Sequence, residues 1–301
     1  MSFHFKKRSV LTIKISEISG ETRLAGFIAD PAQHSYSPRM HNLAFQLTQT
    51  DAIYLAFTVK KEDLKEAIQS IRSLNMLGVN ISMPHKIAAM NYVDELSKSA
   101  RLIGAINTIE NKAGRLIGHN TDGIGFMSSL AAEKVPFKEK TFTVLGAGGA
   151  ANAIICQAAI EGVKKINVFS RKGKNYDNMQ AKISHIQTST GCRVYLYEFL
   201  DSKQLNCCLL ESDLLVNCTS IGMNDNQTPL ANFEAISAQL VVCDIIYKPE
   251  ETALLKKAKA RGATTFNGIG MLLYQGAAAF EIWTGKQMPL QEIYSVLKKT
   301  I

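Results

Sequence analysis

Gly146, Gly148 and Ala151 stand in Val144-Leu145-Gly146-Ala147-Gly148-Gly149-Ala150-Ala151, at the spacing with which a backbone grips a pyrophosphate. Gly146 permits a tight turn and Gly148 lets the main chain approach phosphate. Ala151 is small enough to keep a helix close to its strand. The short, β-prone run Thr141–Leu145 precedes the turn, and the small, apolar run Ala150–Ile160 follows it. A helix starting there aims its free N–H groups at an anion. The same glycines also serve as a plain structural turn in other α/β proteins, so the motif draws its meaning from the rest of the chain.

Four further clusters place reactive or polar residues among glycines and prolines. They are His34-Ser35-Tyr36-Ser37-Pro38, Asn80-Ile81-Ser82-Met83-Pro84-His85-Lys86, Gly104–Thr108 with Asn120-Thr121-Asp122-Gly123, and Gly268–Gly276. Element ends of this kind are where α/β proteins hold ligands. Ser35 and Ser37 offer two hydroxyls one residue apart before a helix start, which suits an anion. The alternative is that Ser37 only caps the helix and Ser35 only closes the turn.

Short β-like runs alternate with helical stretches throughout, so the fold class is α/β. Strands are expected at Arg23–Ala29, Ala52–Val59, Gly78–Ser82, Ala105–Glu110 and Arg115–Gly118, with helices at Ser37–Leu47 and Glu62–Leu74. Beyond the glycine turn, strands are expected at Lys165–Ser170, Arg193–Phe199, Asp213–Cys218, Leu240–Ile246 and Ala263–Phe266. Helices are expected there at Tyr176–Thr188, Glu250–Arg261, Gly270–Thr284 and Leu290–Lys299. A domain boundary is placed near Gly125. Met1 to Gly20 reads as an extra arm or strand, or a weakly ordered end.

The 301 residues are 46% hydrophobic and 20% charged, an ordinary globular composition long enough for two domains. No apolar run reaches the ~18 residues of a membrane span, and the start lacks the core of a secretory signal. The formal charge of +8 is scattered, without a Lys/Arg block or interleaved aromatics, so no nucleic-acid partner is expected. A mild attraction of small anions remains. The six cysteines form no Cys-x-x-Cys pair and fit buried thiols in a cytoplasmic protein. His34, His41, His85 and His119 are not spaced as metal ligands, and no metal is expected.

Taken together, the five motifs resemble the shikimate dehydrogenase family in order and spacing, from Gly26 to Leu297. Ser82-Met83-Pro84 and the stretch Gly270–Gly285, with Trp283-Thr284-Gly285, look most like its quinate/shikimate branch. The resemblance implies two α/β domains. Residues 1–125, completed by C-terminal helices in 268–301, would bind substrate; residues 126–267 would form a doubly wound Rossmann-type nucleotide domain. It implies reversible, NAD(P)-linked oxidation of shikimate to 3-dehydroshikimate, with quinate to 3-dehydroquinate as a second activity. That chemistry belongs to aromatic amino acid and chorismate biosynthesis or to quinate metabolism.

Lys86 and Asp122 match the family's catalytic pair, which handles the hydroxyl proton while hydride moves to or from nicotinamide. The plain alternative is a structural salt bridge. Ser35 and Ser37 match the family's carboxylate-binding serines. Ser82, Asn107, Tyr247 and Gln275 match positions around the substrate ring, although Tyr247 could equally serve packing. For the cofactor the resemblance and the glycine motif point to Gly146, Ala147, Gly148, Gly149, Ala150, Ser170, Arg171, Lys172, Thr219, Gly268 and Met271. Cys218, within Asn217-Cys218-Thr219, stands for the usual Ala and reads as a small hydrophobe rather than a nucleophile.

NADP is the expected cofactor, with NAD use open. The quinate/shikimate branch commonly carries Asn-Arg-x-Asp after the second strand, but Ser170-Arg171-Lys172-Gly173 lacks the Asp. Arg171, Lys172 and Lys174 put cations where a 2′-phosphate would sit. The plain alternative is a solvated basic loop serving either cofactor. The expected assembly is a monomer or homodimer. Two rival functions remain: another lysine-dependent Rossmann dehydrogenase, such as one acting on methylene-tetrahydrofolate, and a non-catalytic, cofactor-binding regulator. The first has no use for a carboxylate clamp; the second has no use for a proton-transfer pair.

Overall fold

The computed structural model describes residues 18–300, so the expected N-terminal arm lies largely outside the described residues. Two six-stranded sheets organise the chain. The first holds β1 (Arg23–Ala29), β2 (Ala52–Thr58), β3 (Gly78–Ile81), β4 (Glu95–Leu96), β5 (Thr108–Lys112) and β6 (Arg115–His119), in the order β2-β1-β3-β5-β6-β4. β1 runs parallel to β2 and β3, and β5 and β6 form an antiparallel hairpin beside β3. Crossovers run through α1 (Ser37–Leu47) and α2 (Leu64–Ser73), which bury one apolar face each.

The second sheet is entirely parallel. It holds β7 (Thr141–Leu145), β8 (Lys165–Ser170), β9 (Arg193–Glu198), β10 (Leu214–Asn217), β11 (Val241–Asp244) and β12 (Thr264–Phe266), in the order β12-β11-β10-β7-β8-β9. Counted within this half, that is the doubly wound order 3-2-1-4-5-6 read from β9 to β12. Its inner strands β7, β8, β10 and β11 are near-continuous buried runs because both faces are covered. Chain order reverses between β7 and β10, and the crevice outside their carboxyl ends is where such sheets bind ligands.

Most expected elements, α6 (Lys174–Thr190) and α8 (Ala253–Ala260) among them, stand within one to three residues of their places. Five shorter or glycine-containing ones are additional: a 3-10 turn Ala88–Tyr92, β4, α3 (Lys98–Ile103), α4 (Asp122–Ala132) and α7 (Ser202–Leu210). Gly125 lies inside α4. A Cβ there would strike the main chain of Gln275 in α9 (Ile269–Thr284), so glycine lets two helices meet almost backbone to backbone. Ser37 does not cap α1. It is the first helical residue, while the N-cap, Tyr36, has helical φ and ψ and makes no side-chain capping bond. The Ser35 hydroxyl instead accepts the Ser37 N–H at 3.2 Å.

α9 and α10 (Leu290–Thr300) return to the first sheet, where Leu273, Phe280, Trp283, Ile293 and Leu297 pack on Met40, Phe45 and Tyr54. Among the described residues, no helix is long and apolar enough to cross a membrane.

Candidate active site

The loops leaving β1 and β3 and the first turn of α4 converge on a cavity of about 500 Å³. β1 delivers Ser35 and Ser37, β3 delivers Ser82 and Lys86, the strand start at β5 delivers Asn107, and α4 delivers Asp122. Tyr247 and Gln275 close it from the loop after β11 and from α9. Every expected catalytic and substrate-binding residue therefore lines one cavity. Tyr36 and Tyr247 meet edge to face at 6.1 Å, so Tyr247 both packs and faces the cavity.

Lys86 Nζ lies 2.6 Å from Asp122 Oδ2, and both side chains are largely shielded. The other carboxylate oxygen, Oδ1, accepts from Asn107 Nδ2 at 2.8 Å. Asn107 Oδ1 accepts the Thr121 main-chain N–H at 2.7 Å, which decides which way its amide faces. Asn120 Oδ1 accepts the Asp122 N–H at 3.1 Å, steadying the start of α4. An ammonium held at one carboxylate oxygen, with an amide on the other, is a proton donor of fixed direction beside a polar cavity.

A second pocket of about 610 Å³ opens at the crevice of the parallel sheet. Gly146, Ala147, Gly148, Ser170, Arg171, Lys172 and Thr219 line it, together with Lys174. Gly146 has φ +107° and lies against Cys218, a conformation that a side chain would strain. A Cβ on Gly148 or Gly149 would meet nothing within 4 Å, so the main chain is open on that side. Gly149 and Ala150 begin α5 (Gly149–Ile160) behind this lining rather than on it. An open glycine turn, a helix N-terminus and exposed cations fit a dinucleotide.

Gly268 and Met271, expected at the cofactor, line the substrate cavity and not the glycine-turn pocket. Thr219 is held from beneath. Asn217 Oδ1 accepts its N–H at 3.0 Å and its hydroxyl at 2.7 Å, and Asn217 Nδ2 donates to buried Asp244 at 3.1 Å. Burial pushes the Asp244 carboxyl up against the opposing pull of its hydrogen bonds. Desolvation likewise pushes the Cys218 thiol well up, which suits an inert packing residue.

Residues 27–109 match the shikimate dehydrogenase substrate binding domain, and residues 268–298 match the shikimate 5′-dehydrogenase C-terminal domain. The shikimate dehydrogenase (NADP(+)) of Streptococcus sanguinis is 47% identical over 282 residues, covering 94% of this chain and 98% of that protein. The chain belongs to the shikimate dehydrogenase family. A solved structure of shikimate 5-dehydrogenase from Listeria monocytogenes, with shikimate and NAD, superposes at a TM-score of 0.92. It is 43% identical and covers 95% of this chain and 100% of that one. Quinate dehydrogenase from Corynebacterium glutamicum, with NAD, gives a TM-score of 0.83 at 27% identity, covering 92% and 99%.

Seen within the shikimate dehydrogenase family, some neighbours of the site have no role assigned from sequence: Thr108 and Thr121 stand inside the third cluster, and Tyr54 outside all of them. Tyr54, Thr108 and Thr121 are fully buried and hydrogen-bonded into the polar cluster behind Asn107. Asn80 was visible beside Ser82, yet its partners come from other strands. Glu198 was hidden as well. It sits opposite Ser170 across β8 and β9 and pairs with Lys172 at 2.7 Å. Only sheet register brings that carboxylate to the basic loop.

Proposed function

We propose that this protein oxidises shikimate reversibly to 3-dehydroshikimate with NAD(P), and that quinate is a second substrate. The enzyme is an oxidoreductase of the shikimate dehydrogenase family, and the reading rests on one observation above all. The Lys86–Asp122 pair, at 2.6 Å, faces the same cavity as the Ser35–Ser37 hydroxyls. A proton-transfer pair and an anion clamp in one cavity match a hydroxylated ring acid.

Ser35 and Ser37 hold the substrate carboxylate, and Ser82, Asn107, Tyr247 and Gln275 surround the ring hydroxyls. Lys86, held in place by its ion pair with Asp122, gives a proton to the carbonyl oxygen in the reduction direction. In oxidation the same nitrogen, as the neutral amine after losing a proton to solvent, takes the proton from the hydroxyl, with Asp122 keeping it aimed. When bound, the nicotinamide accepts or returns the hydride. Gly268 and Met271 shape the wall where the two ligands meet. Gly146, Ala147 and Gly148 receive the pyrophosphate with Thr219 beside them, and Gly149 and Ala150 contribute only as the start of α5 behind that lining. Ser170, Arg171 and Lys172 receive the adenosine end.

NADP is the preferred cofactor, because the turn at residues 171–174 after β8 carries three exposed cations and no Asp before Asp177. Residues 1–125 with 268–301 act as the substrate domain, residues 126–267 as the nucleotide domain, in a cytoplasmic monomer or homodimer. The deciding experiment is a steady-state assay of shikimate and quinate with NADP and with NAD. Turnover of shikimate with NADP supports the reading. Tight cofactor binding without turnover of either acid would overturn it in favour of a regulator.

A further inference from the structure

Asn107 aims its amide at Asp122 because its oxygen accepts from the Thr121 main-chain N–H and, as a further donor, from the Thr108 hydroxyl. Behind it runs a buried chain of hydrogen bonds with one sense. Tyr54 Oη donates to Asn80 Oδ1 at 2.7 Å. Asn80 Nδ2 therefore faces Thr108 Oγ1, at 3.0 Å, and also reaches the Asn107 carbonyl at 3.3 Å. Thr108 Oγ1, having accepted, donates to Asn107 Oδ1 at 3.0 Å. Asn107 Nδ2 then donates to Asp122 Oδ1, and Lys86 takes Oδ2. Tyr54 and Thr108 are fully buried and do not line the substrate cavity.

We infer that Tyr54 is a positioning residue for proton transfer, setting the direction of the hydrogen-bond chain that holds Asp122 and Lys86 in register. The inference rests on the proposed role of the Lys86–Asp122 pair. A phenol that donates to Asn80 Oδ1 leaves only one orientation for that amide. Without it, the Asn80 oxygen loses its donor and the amide is held only through Nδ2, by the long bond to the Asn107 carbonyl and the bond to Thr108, so the Thr108 hydroxyl is aimed less firmly. That donor to Asn107 weakens, and the grip on Asp122 loosens. Tyr54 is itself held in place. Asn42 in α1 accepts the Tyr54 N–H at 2.8 Å and donates to its carbonyl at 2.9 Å.

The test is a set of variants assayed with shikimate and NADP. Tyr54→Phe and Thr108→Val are each expected to lower kcat about fivefold, the worth of one buried hydrogen bond, with KM for shikimate within about twofold. Thr108→Ser restores kcat, because it returns the hydroxyl. In an Asp122→Asn background, Tyr54→Phe adds no further loss, because both changes act through the same oxygen. A rise in KM at unchanged kcat, or a full fivefold loss on top of Asp122→Asn, would overturn the inference. If Tyr54→Phe does not fold, the Thr108 pair decides alone. Asp122→Asn retaining wild-type turnover would instead sink the role of the pair itself.

Discussion

The substrate cavity and the glycine-turn pocket are built on opposite plans. Around the first, polar side chains are buried and already paired to one another: Asp122, Asn107, Thr108, Thr121 and Asn80 are all inside. Around the second, main chain and exposed cations do the work. Arg171, Lys172 and Lys174 stand in solvent, and Lys172 is tied only to exposed Glu198. Ground-state order suits the side where a proton must move along a fixed line. An open, positively charged rim suits the side that must admit and release a large anion. Truncation should therefore damage turnover on the first side and cofactor affinity on the second.

Lys86→Ala is the sharpest way to break that contrast. Turnover should fall at least about a hundredfold while KM for shikimate stays within about tenfold. Steady-state kinetics check this, and a residual rate above a tenth of wild type would remove Lys86 from the chemistry. The pH profile of kcat for Asp122→Asn beside wild type would show whether the carboxylate orients the donor or takes part in transfer.

Replacing both clamp serines, Ser35→Ala with Ser37→Ala, should raise KM for shikimate and quinate alike by tenfold or more. Hydrogen bonds to a charged group are worth about 1.5–3 kcal/mol each. If neither KM moves, the carboxylate binds elsewhere. On the other side, Arg171→Ala should raise KM for NADP about tenfold, consistent with one charge-assisted bond, and leave NAD nearly unchanged. Equal effects on both cofactors would mean that Arg171 stacks on adenine rather than reading a phosphate.

The smallest effect at neutral pH concerns stability, and it belongs to the substrate side. His41 is fully buried, stacked on Tyr54 at 4.5 Å, with both ring nitrogens unpartnered. Burial lowers its pKa from 6.5 to about 3. The unfolded chain thus binds the proton first as pH falls. The folded state loses about 1.4 kcal/mol per pH unit below 6.5, roughly 2 kcal/mol by pH 5, until the loss levels off near the folded value. Denaturant melts between pH 7 and 5 should show the slope in wild type and a reduced slope in His41→Phe.

Where structure was legible in the sequence, the reason was local. The glycine turn, the apolar strands of the parallel sheet and the hydroxyl pair before Pro38 each signal within a few residues. α4 was missed because Gly123 and Gly125 read as helix breakers. Their helical conformation is justified only by α5 and α9, which press against them. Tyr54 and Glu198 were invisible, and Thr108 stood in its cluster without a role, for a related cause. A tyrosine or threonine in a strand looks like packing until the register of a neighbouring strand supplies its partner.

α4 also determines how this chain tolerates changes of length. Asp122 is its first residue, and Gly125, one turn on, lies flush against α9. One residue inserted between His119 and Asp122 would have to bulge, or turn the helix by about 100° and swing the carboxylate away from Lys86. At the β5–β6 tip, Lys112, Ala113, Gly114 and Arg115 are exposed, and extra residues there touch nothing that the site needs. An insertion scan along residues 110–125 should meet a sharp edge between permissive hairpin and intolerant helix start.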